Sequence, residues 1–387
     1  MSKKFQIVGS LLRPAPLLAY KRKIEHDDTI TYPFYNDLEG YEKCEIEATK
    51  YIIEKQIEAG IDIISDGEYS KSIWHLDFVW GFGGVERKIA KQGYFFRDKN
   101  ETTKYEYETR RDIALKFTKE FDGKNHHFIK IFKRILEFSN GSETKLCIPS
   151  PSQMFGEFSW SKNIEGKDDV YPTANAMKVA LLKAYKDFVQ DFVDAGGKIL
   201  QLDDCLWQIF ADDNPNSPFT GKSIDSQVTA LAAEFIEMNN EIIDFGHNLG
   251  LAMWTHNCRG NYESRNMGGG SYSKIAELFL KQQKYDRFFL EWDDERAGGL
   301  EALEAFKDRK DVEIVLGLLS SKTNTLDDEA RILKLLDEAS KIIDKDRLLL
   351  SHQCGFASCD GGNELTEQEQ WAKIKQGQEI AKKYFGQ

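Results

Sequence analysis

Gly250-Leu251-Ala252-Met253-Trp254-Thr255-His256-Asn257-Cys258 decides how the chain is read. An amphipathic stretch, Gln227–Leu249, runs into it, and Gly250 is a stop signal of the kind that ends helices. Leu251–Thr255 is then almost continuously apolar, as a parallel strand covered on both faces must be. The run leaves the core through polar residues that can bind metals. Helix, glycine, buried strand and polar strand end make one unit of an α/β fold.

The same unit recurs in both directions. Apolar runs stand at Phe5–Val8, Ile61–Ser65, Leu146–Pro149, Ile199–Leu202, Leu251–Thr255, Arg287–Leu290, Val312–Gly317 and Leu348–Ser351. Helical patterns lie at Leu38–Ala59, Ala174–Ala195, Gln227–Leu249, Lys274–Gln283, Leu300–Lys307, Leu326–Ile343 and Glu367–Tyr384. Eight such runs predict a single α/β domain, a (β/α)8 TIM barrel over residues 1–387, with a doubly wound sheet as the competing arrangement. Residues 69–143 do not fit one helix. They are expected to be an insertion after strand two, a hairpin plus a helix capping the barrel mouth.

Composition narrows the function. A formal charge of −12 over 387 residues repels phosphate backbones and argues against nucleic acid. No apolar run approaches the ~20 residues that cross a bilayer, so no membrane partner is expected. The N-terminal stretch lacks the long apolar region of a secretory signal, which predicts a cytoplasmic protein. Six cysteines are too sparse for a disulfide scaffold. Cys44, Cys147 and Cys205 read as small core residues.

In a TIM barrel, chemistry collects where strands end. Here the ends read Gly9-Ser10, Asp66-Gly67-Glu68, Asp203-Asp204-Cys205, His256-Asn257-Cys258, Glu291-Trp292-Asp293 and His352-Gln353-Cys354. Alternate residues of an extended segment face one side, so His256 and Cys258 can share an ion. Glu291 is a carboxylate closing an apolar strand, costly unless paired. Cys354 closes a third strand. One His, two Cys and one Glu match a Zn2+ site, and sulfur donors favour zinc over magnesium or calcium. Cys359 is a spare thiol, and His352 fits a structural role as well as a supporting one. Two thiolates and a carboxylate leave bound Zn2+ net negative. That suits an electron-rich thiolate better than an activated water. Glu68 and Asp203 can hold an ammonium group, although helix capping explains Asp203 or Asp204 equally well. Gly9-Ser10 offers amides and a hydroxyl to a carboxylate, or is an ordinary turn. Together these residues describe a site for an amino acid with a thiol side chain.

These motifs resemble the C-terminal catalytic barrel of cobalamin-independent methionine synthase, and more closely its short, single-barrel bacterial relatives. The likeness runs from Ile7-Val8-Gly9-Ser10 to Gln353-Cys354-Gly355, through Ser65-Asp66-Gly67-Glu68 and Gln201-Leu202-Asp203-Asp204. The resemblance implies that His256, Cys258, Glu291 and Cys354 ligate zinc. It implies that Ser10 binds the homocysteine carboxylate and that Glu68 and Asp203 hold its amino group. The thiolate would take a methyl group from a carrier, usually 5-methyltetrahydrofolate. Two departures touch the donor. The long enzymes carry a tryptophan after strand three, where this chain reads Pro149-Ser150-Pro151-Ser152-Gln153-Met154. They carry a histidine after strand seven, where Ser320 stands. Trp74, Phe78 and Trp80 offer a replacement stacking surface or are ordinary packing. Two other readings compete: alkyl transfer to another small thiol, as in epoxyalkane–coenzyme M transferase, and a metal-binding barrel without catalysis.

Overall fold

The computed structural model describes residues 3–99, 104–212 and 226–386. Six of the apolar runs form one all-parallel sheet. Its order is Leu348–His352, Glu313–Leu319, Arg287–Glu291, Ala252–Asn257, Ile199–Asp203 and Leu146–Pro149. Each strand lies beside its neighbour in the chain, as short right-handed crossovers require. The remaining two runs flank this sheet. Phe5 bridges Leu350 in parallel, and Gln6 N donates to the Leu350 carbonyl at 2.9 Å. Ile63–Ile64 pairs in parallel with Glu143–Thr144, the segment that leads into Leu146–Pro149.

The ladder does not run all the way round. Between the Phe5 segment and Ile63–Ile64 the described contacts are Leu11 N to the Gly67 carbonyl and Ser65 Oγ to the Gly9 carbonyl, both 2.9 Å. The carbonyls of Ile7 and Val8 turn instead to the buried ammonium of Lys145, at 2.7 Å each. Packing completes what the ladder omits. Val8, Ile63, Ile199, Trp254, Phe289, Val315 and Leu349 form one buried cluster, a single residue from each of seven runs. Lys145, preceding the eighth, sets its ammonium 4.7 Å from the Phe289 ring centroid.

Helices cover the sheet, and most follow the expected pattern: Tyr41–Glu58, Ala174–Asp194, Ser226–Asn248, Glu329–Ala339 and Glu367–Phe385. Two expected helices are shorter and tighter or wider than α. Lys274–Gln283 becomes a 3-10 turn, Tyr272–Lys274, and a π turn, Ala276–Leu280, while Leu300–Phe306 is 3-10. Tyr272 explains the first. Its ring lies 4.3 Å from the Arg259 guanidinium and its hydroxyl accepts from Glu291 N at 3.1 Å, so the turn is pulled onto the strand ends.

Residues 69–143 hold the short helix Leu76–Trp80, the antiparallel pair Gly83–Lys88 with Ala114–Asp122, and the smaller pair Phe95–Arg97 with Tyr105–Glu108. The helix at the end of this stretch, His127–Phe138, does not cap the mouth. It buries Phe128, Ile131, Phe132 and Ile135 and packs beside Tyr41–Glu58 and Ala174–Asp194 on the outer layer. Buried ion pairs tie the antiparallel part to the rest: Arg87 to Asp112 at 3.1 Å, and Arg110 to both Asp112 and Asp360. No described helix is long and apolar enough to cross a membrane.

Candidate metal centre

Parallel register brings the strand ends to one level: His256 lies opposite Asp203 and Phe289, and Glu291 opposite Gly317. At that level ligand atoms of His256, Glu291 and Cys354 all lie within 4.8 Å of one another, and all three residues are buried. Cys258 joins through its Sγ, 3.7 Å from that of Cys354. Two thiolates on a tetrahedral Zn2+ stand about 3.8 Å apart, given Zn–S bonds of about 2.3 Å. His256 Nε2 is 3.9 Å from Glu291 Oε1 and 3.0 Å from the Gln353 carbonyl.

Two observations fit a cation here. Glu291 Oε1 accepts from Arg259 N at 3.1 Å, but its buried Oε2 has no partner among the described residues. Such an orphan is costly in a protein interior. Burial also pushes the Glu291 carboxyl up, against the nearby charge of Lys322, and pulls the His256 imidazole down to about 4. The imidazole is therefore neutral and able to ligate, and the carboxylate lacks a positive partner close enough to replace its hydration. A soft divalent ion satisfies both.

The expected substrate residues line the same narrow cavity, of about 30 Å3: Ser10, Glu68 and Asp203 share its wall with His256, Cys258 and Cys354. Ser10 Oγ accepts from Ala357 N at 3.3 Å. Gly355 is obligatory beside it, because a Cβ there would sit 1.9 Å from Ser10 Oγ. Glu68 adopts φ +60°, the left-handed region that ordinary side chains avoid, as strained site residues often do. It pairs with Lys71 at 3.0 Å. Asp203 accepts from Gln201 Nε2 at 2.7 Å, and burial, then the charge of Glu68, raises its carboxyl above the usual range. Asp66 and Asp204 do not face the cavity. Asp66 ties its own turn through Glu68 N and Ser70 Oγ, and Asp204 accepts from Ser152, Asn239 and Trp207.

A larger chamber of about 470 Å3 adjoins this cavity and shares Trp74, Cys205, Cys258 and Ser358 with it. Trp74, Tyr94 and Tyr262 give it aromatic walls. Phe78 and Trp80 are packing, with Phe78 fully buried against Phe82, His126 and Tyr185. Ser320 caps its own loop, accepting from Lys322 N. Lys322, not singled out from the sequence, is buried and donates to the Gly260 carbonyl at 2.8 Å. Cys205, expected to be a small core residue, is only half-buried and lines both cavities instead. His352 packs between Phe5 and Phe356, and Cys359 lines the larger chamber only.

No family model matches the sequence. The uncharacterised protein YxjH of Bacillus subtilis (strain 168) is 35% identical over 375 residues, covering 97% of this chain and 92% of its own. A crystal structure from Listeria monocytogenes, provisionally described as a vitamin-B12-independent methionine synthase, is 29% identical with a TM-score of 0.69. That match covers 98% of this chain and 97% of the other. This chain belongs to the cobalamin-independent methionine synthase family. A B12-independent methionine synthase from Shewanella sp. W3-18-1, solved with selenomethionine, shares the fold at TM-score 0.70 and 19% identity, covering 100% and 98% of the two chains. The family member described above thus carries its metal-type cluster and its thiol-sized cavity at one end of a parallel α/β sheet.

Proposed function

We propose that this protein is a zinc-dependent S-methyltransferase that transfers a methyl group from a carrier, 5-methyltetrahydrofolate foremost, to homocysteine and yields methionine. We take the eight runs as a (β/α)8 barrel and the chain as one domain of the cytoplasm, with about 69–143 inserted after strand two. One observation carries the function. Donor atoms of His256, Glu291 and Cys354 within 4.8 Å, with Cys258 beside them, share a cavity with Ser10, Glu68 and Asp203.

His256, Cys258, Glu291 and Cys354 would hold the ion. Bound zinc would keep the homocysteine thiol deprotonated and nucleophilic at neutral pH. Ser10 and its neighbouring amides receive the amino acid's carboxylate, and Glu68 and Asp203 receive its ammonium. Glu68 keeps Lys71 as its partner, so a thiol without an amine leaves the Asp203 carboxylate beside it without a bound cation, which favours homocysteine over a coenzyme M type of substrate. The donor enters through the larger chamber. There Trp74, Tyr94 and Tyr262 can lie against a flat ring while its methyl group points past Cys258. The new S–C bond forms as the carrier's C–N bond breaks, and the carrier nitrogen keeps the electron pair.

The test is metal analysis together with methionine formation from homocysteine. Methyltetrahydrofolate mono- and polyglutamates and methylcobalamin are compared as donors. A single zinc per chain is expected, and Cys354→Ser should lose metal and activity together. Full activity in a metal-free variant rejects the reading.

A further inference from the structure

We propose that Lys145, buried beneath the amino acid pocket, is a specificity-determining residue that acts through Gln201 on Asp203, and so decides that the pocket takes a thiol carrying an ammonium group. This rests on the reading of Asp203 as the acid that meets the substrate's amino group. Lys145 stands just before the strand Leu146–Pro149 and is 1% exposed. An ammonium taken out of water is costly unless its hydrogens find acceptors. Those of Lys145 find three, at 2.7 Å each: the carbonyls of Ile7 and Val8, and Oε1 of Gln201. The rings of Phe289 and Trp254 face the same ammonium, 4.7 and 5.8 Å from it at their centroids, and attract it without offering a further acceptor.

A lysine can only donate, so the amide oxygen of Gln201 is the atom that must face it. The amide nitrogen is thereby turned the other way. It donates to Asp203 Oδ1 at 2.7 Å and to the Val8 carbonyl at 3.1 Å. Gln201 is fully buried, so neither end of the amide has solvent to fall back on. Turned over, it would set its oxygen against the Asp203 carboxylate and its hydrogens against the Lys145 ammonium. Two repulsions would replace two bonds. Lys145 therefore fixes the direction of the amide, and the amide occupies one oxygen of Asp203. No other hydrogen bond among the described residues reaches that carboxylate, which lines the thiol cavity. Its second oxygen is left to a cation arriving there.

Glu68 is treated differently. Its cation is in direct contact, Lys71 at 3.0 Å. One buried acid of the pocket is thus paired outright, and the other is steered by a lysine one amide away and kept open. That inequality is what an incoming ammonium reads.

Calorimetric titration tests this, with the protein supplied with zinc and with homocysteine or γ-mercaptobutyrate, the same thiol without its amino group, as ligand. Wild type is expected to prefer homocysteine. Lys145→Met should weaken homocysteine about 10-fold or more, as loss of a hydrogen bond to a charged group does, and γ-mercaptobutyrate less than about twofold. Gln201→Leu removes the amide at nearly constant volume and leaves Lys145 on its two carbonyls. It should behave in the same way, and it carries the test if the lysine variant folds poorly. Because the effect passes through Asp203, adding Gln201→Leu to Asp203→Asn should cost homocysteine no more than about a further twofold. Unchanged homocysteine affinity in Gln201→Leu, equal weakening of both thiols, or losses that multiply in the double variant each overturn the proposal. If Asp203→Asn itself does not distinguish the thiols, the ammonium reading falls and this proposal with it. If Asp203→Asn distinguishes them and the Lys145 and Gln201 variants do not, only the relay has been misassigned.

Discussion

Asp203 is the single side chain on which the proposed specificity turns. Its carboxylate is fully enclosed, with Gln201 on one oxygen and Glu68 as its nearest like charge. Glu68 already pairs with Lys71, so Asp203 is the acid with room for the proposed ammonium. Hydrogen bonds to charged groups contribute about 1.5–3 kcal/mol. Asp203→Asn is therefore expected to weaken homocysteine at least ~10-fold and to leave a thiol without an amine almost unaffected. Equal loss for both thiols, measured by calorimetric titration, contradicts the ammonium contact. His126 supplies a pH prediction. Its Nε2 donates to the Phe78 carbonyl at 2.7 Å and its Nδ1 accepts from Phe128 N at 3.0 Å, so the ring must stay neutral. Burial pulls it down to about 4, the Phe78 carbonyl opposing. An unfolded histidine takes its proton near pH 6.5. This residue's share of stability is thus complete above that pH and is withdrawn as pH falls toward 4, on the order of 3 kcal/mol. Replacing it, as His126→Gln, should flatten that part of the unfolding free energy between pH 7 and 5. An unchanged slope refutes the assignment. At this scale the sequence was legible where chemistry had to leave a strand: His256, Cys258, Glu291 and Cys354 all follow the strand-end rule. Cys205 was not. A lone cysteine between Asp204 and Leu206 looks like packing until the two cavities it borders are known.

Among elements, the apolar runs and amphipathic periods located the parallel strands and the long helices to within a few residues. The stretch after the second run resisted the same reading. Its antiparallel pairs alternate polar and apolar residues weakly, and Gly83–Lys88 finds its partner, Ala114–Asp122, only beyond the smaller pair that lies between them in the chain. Buried Leu115, Phe117 and Phe121 join them to the core, and buried ion pairs add a second tie. Asp112 is fully buried between Arg87 and Arg110, and Arg110 also reaches Asp360 next to the site. Removing one partner of a buried ion pair costs about 3–5 kcal/mol, because the other charge is stranded. Asp112→Ala should lower the thermal midpoint by several degrees and loosen the Trp74 and Tyr94 wall of the donor chamber. A raised KM for the methyl donor, with homocysteine affinity unchanged, would register that loosening. A fall in homocysteine affinity alone would place the anchor elsewhere.

Across the whole molecule, the metal-type cluster joins three strands that are otherwise held by their ladders. Binding to the native state alone stabilises it by mass action. Treatment with a chelator is expected to lower the unfolding midpoint, and zinc, but not magnesium, to restore it. A midpoint indifferent to chelation would mean that the cluster is closed by hydrogen bonds between its own thiols and carboxylate.

The meeting of Ser10 with Gly355 has a consequence for biosynthesis. Phe356 N bonds the Ser10 carbonyl, and the bare α-carbon of Gly355 leaves room for the Ser10 hydroxyl. The proposed amino acid pocket is therefore stitched from segments that stand 347 residues apart in the chain. A nascent chain has no finished pocket to offer until the second of them has left the ribosome, and every translation product arrested before Cys354 emerges lacks both a cluster sulfur and the glycine that makes room for Ser10. Competence arrives all at once, with that segment.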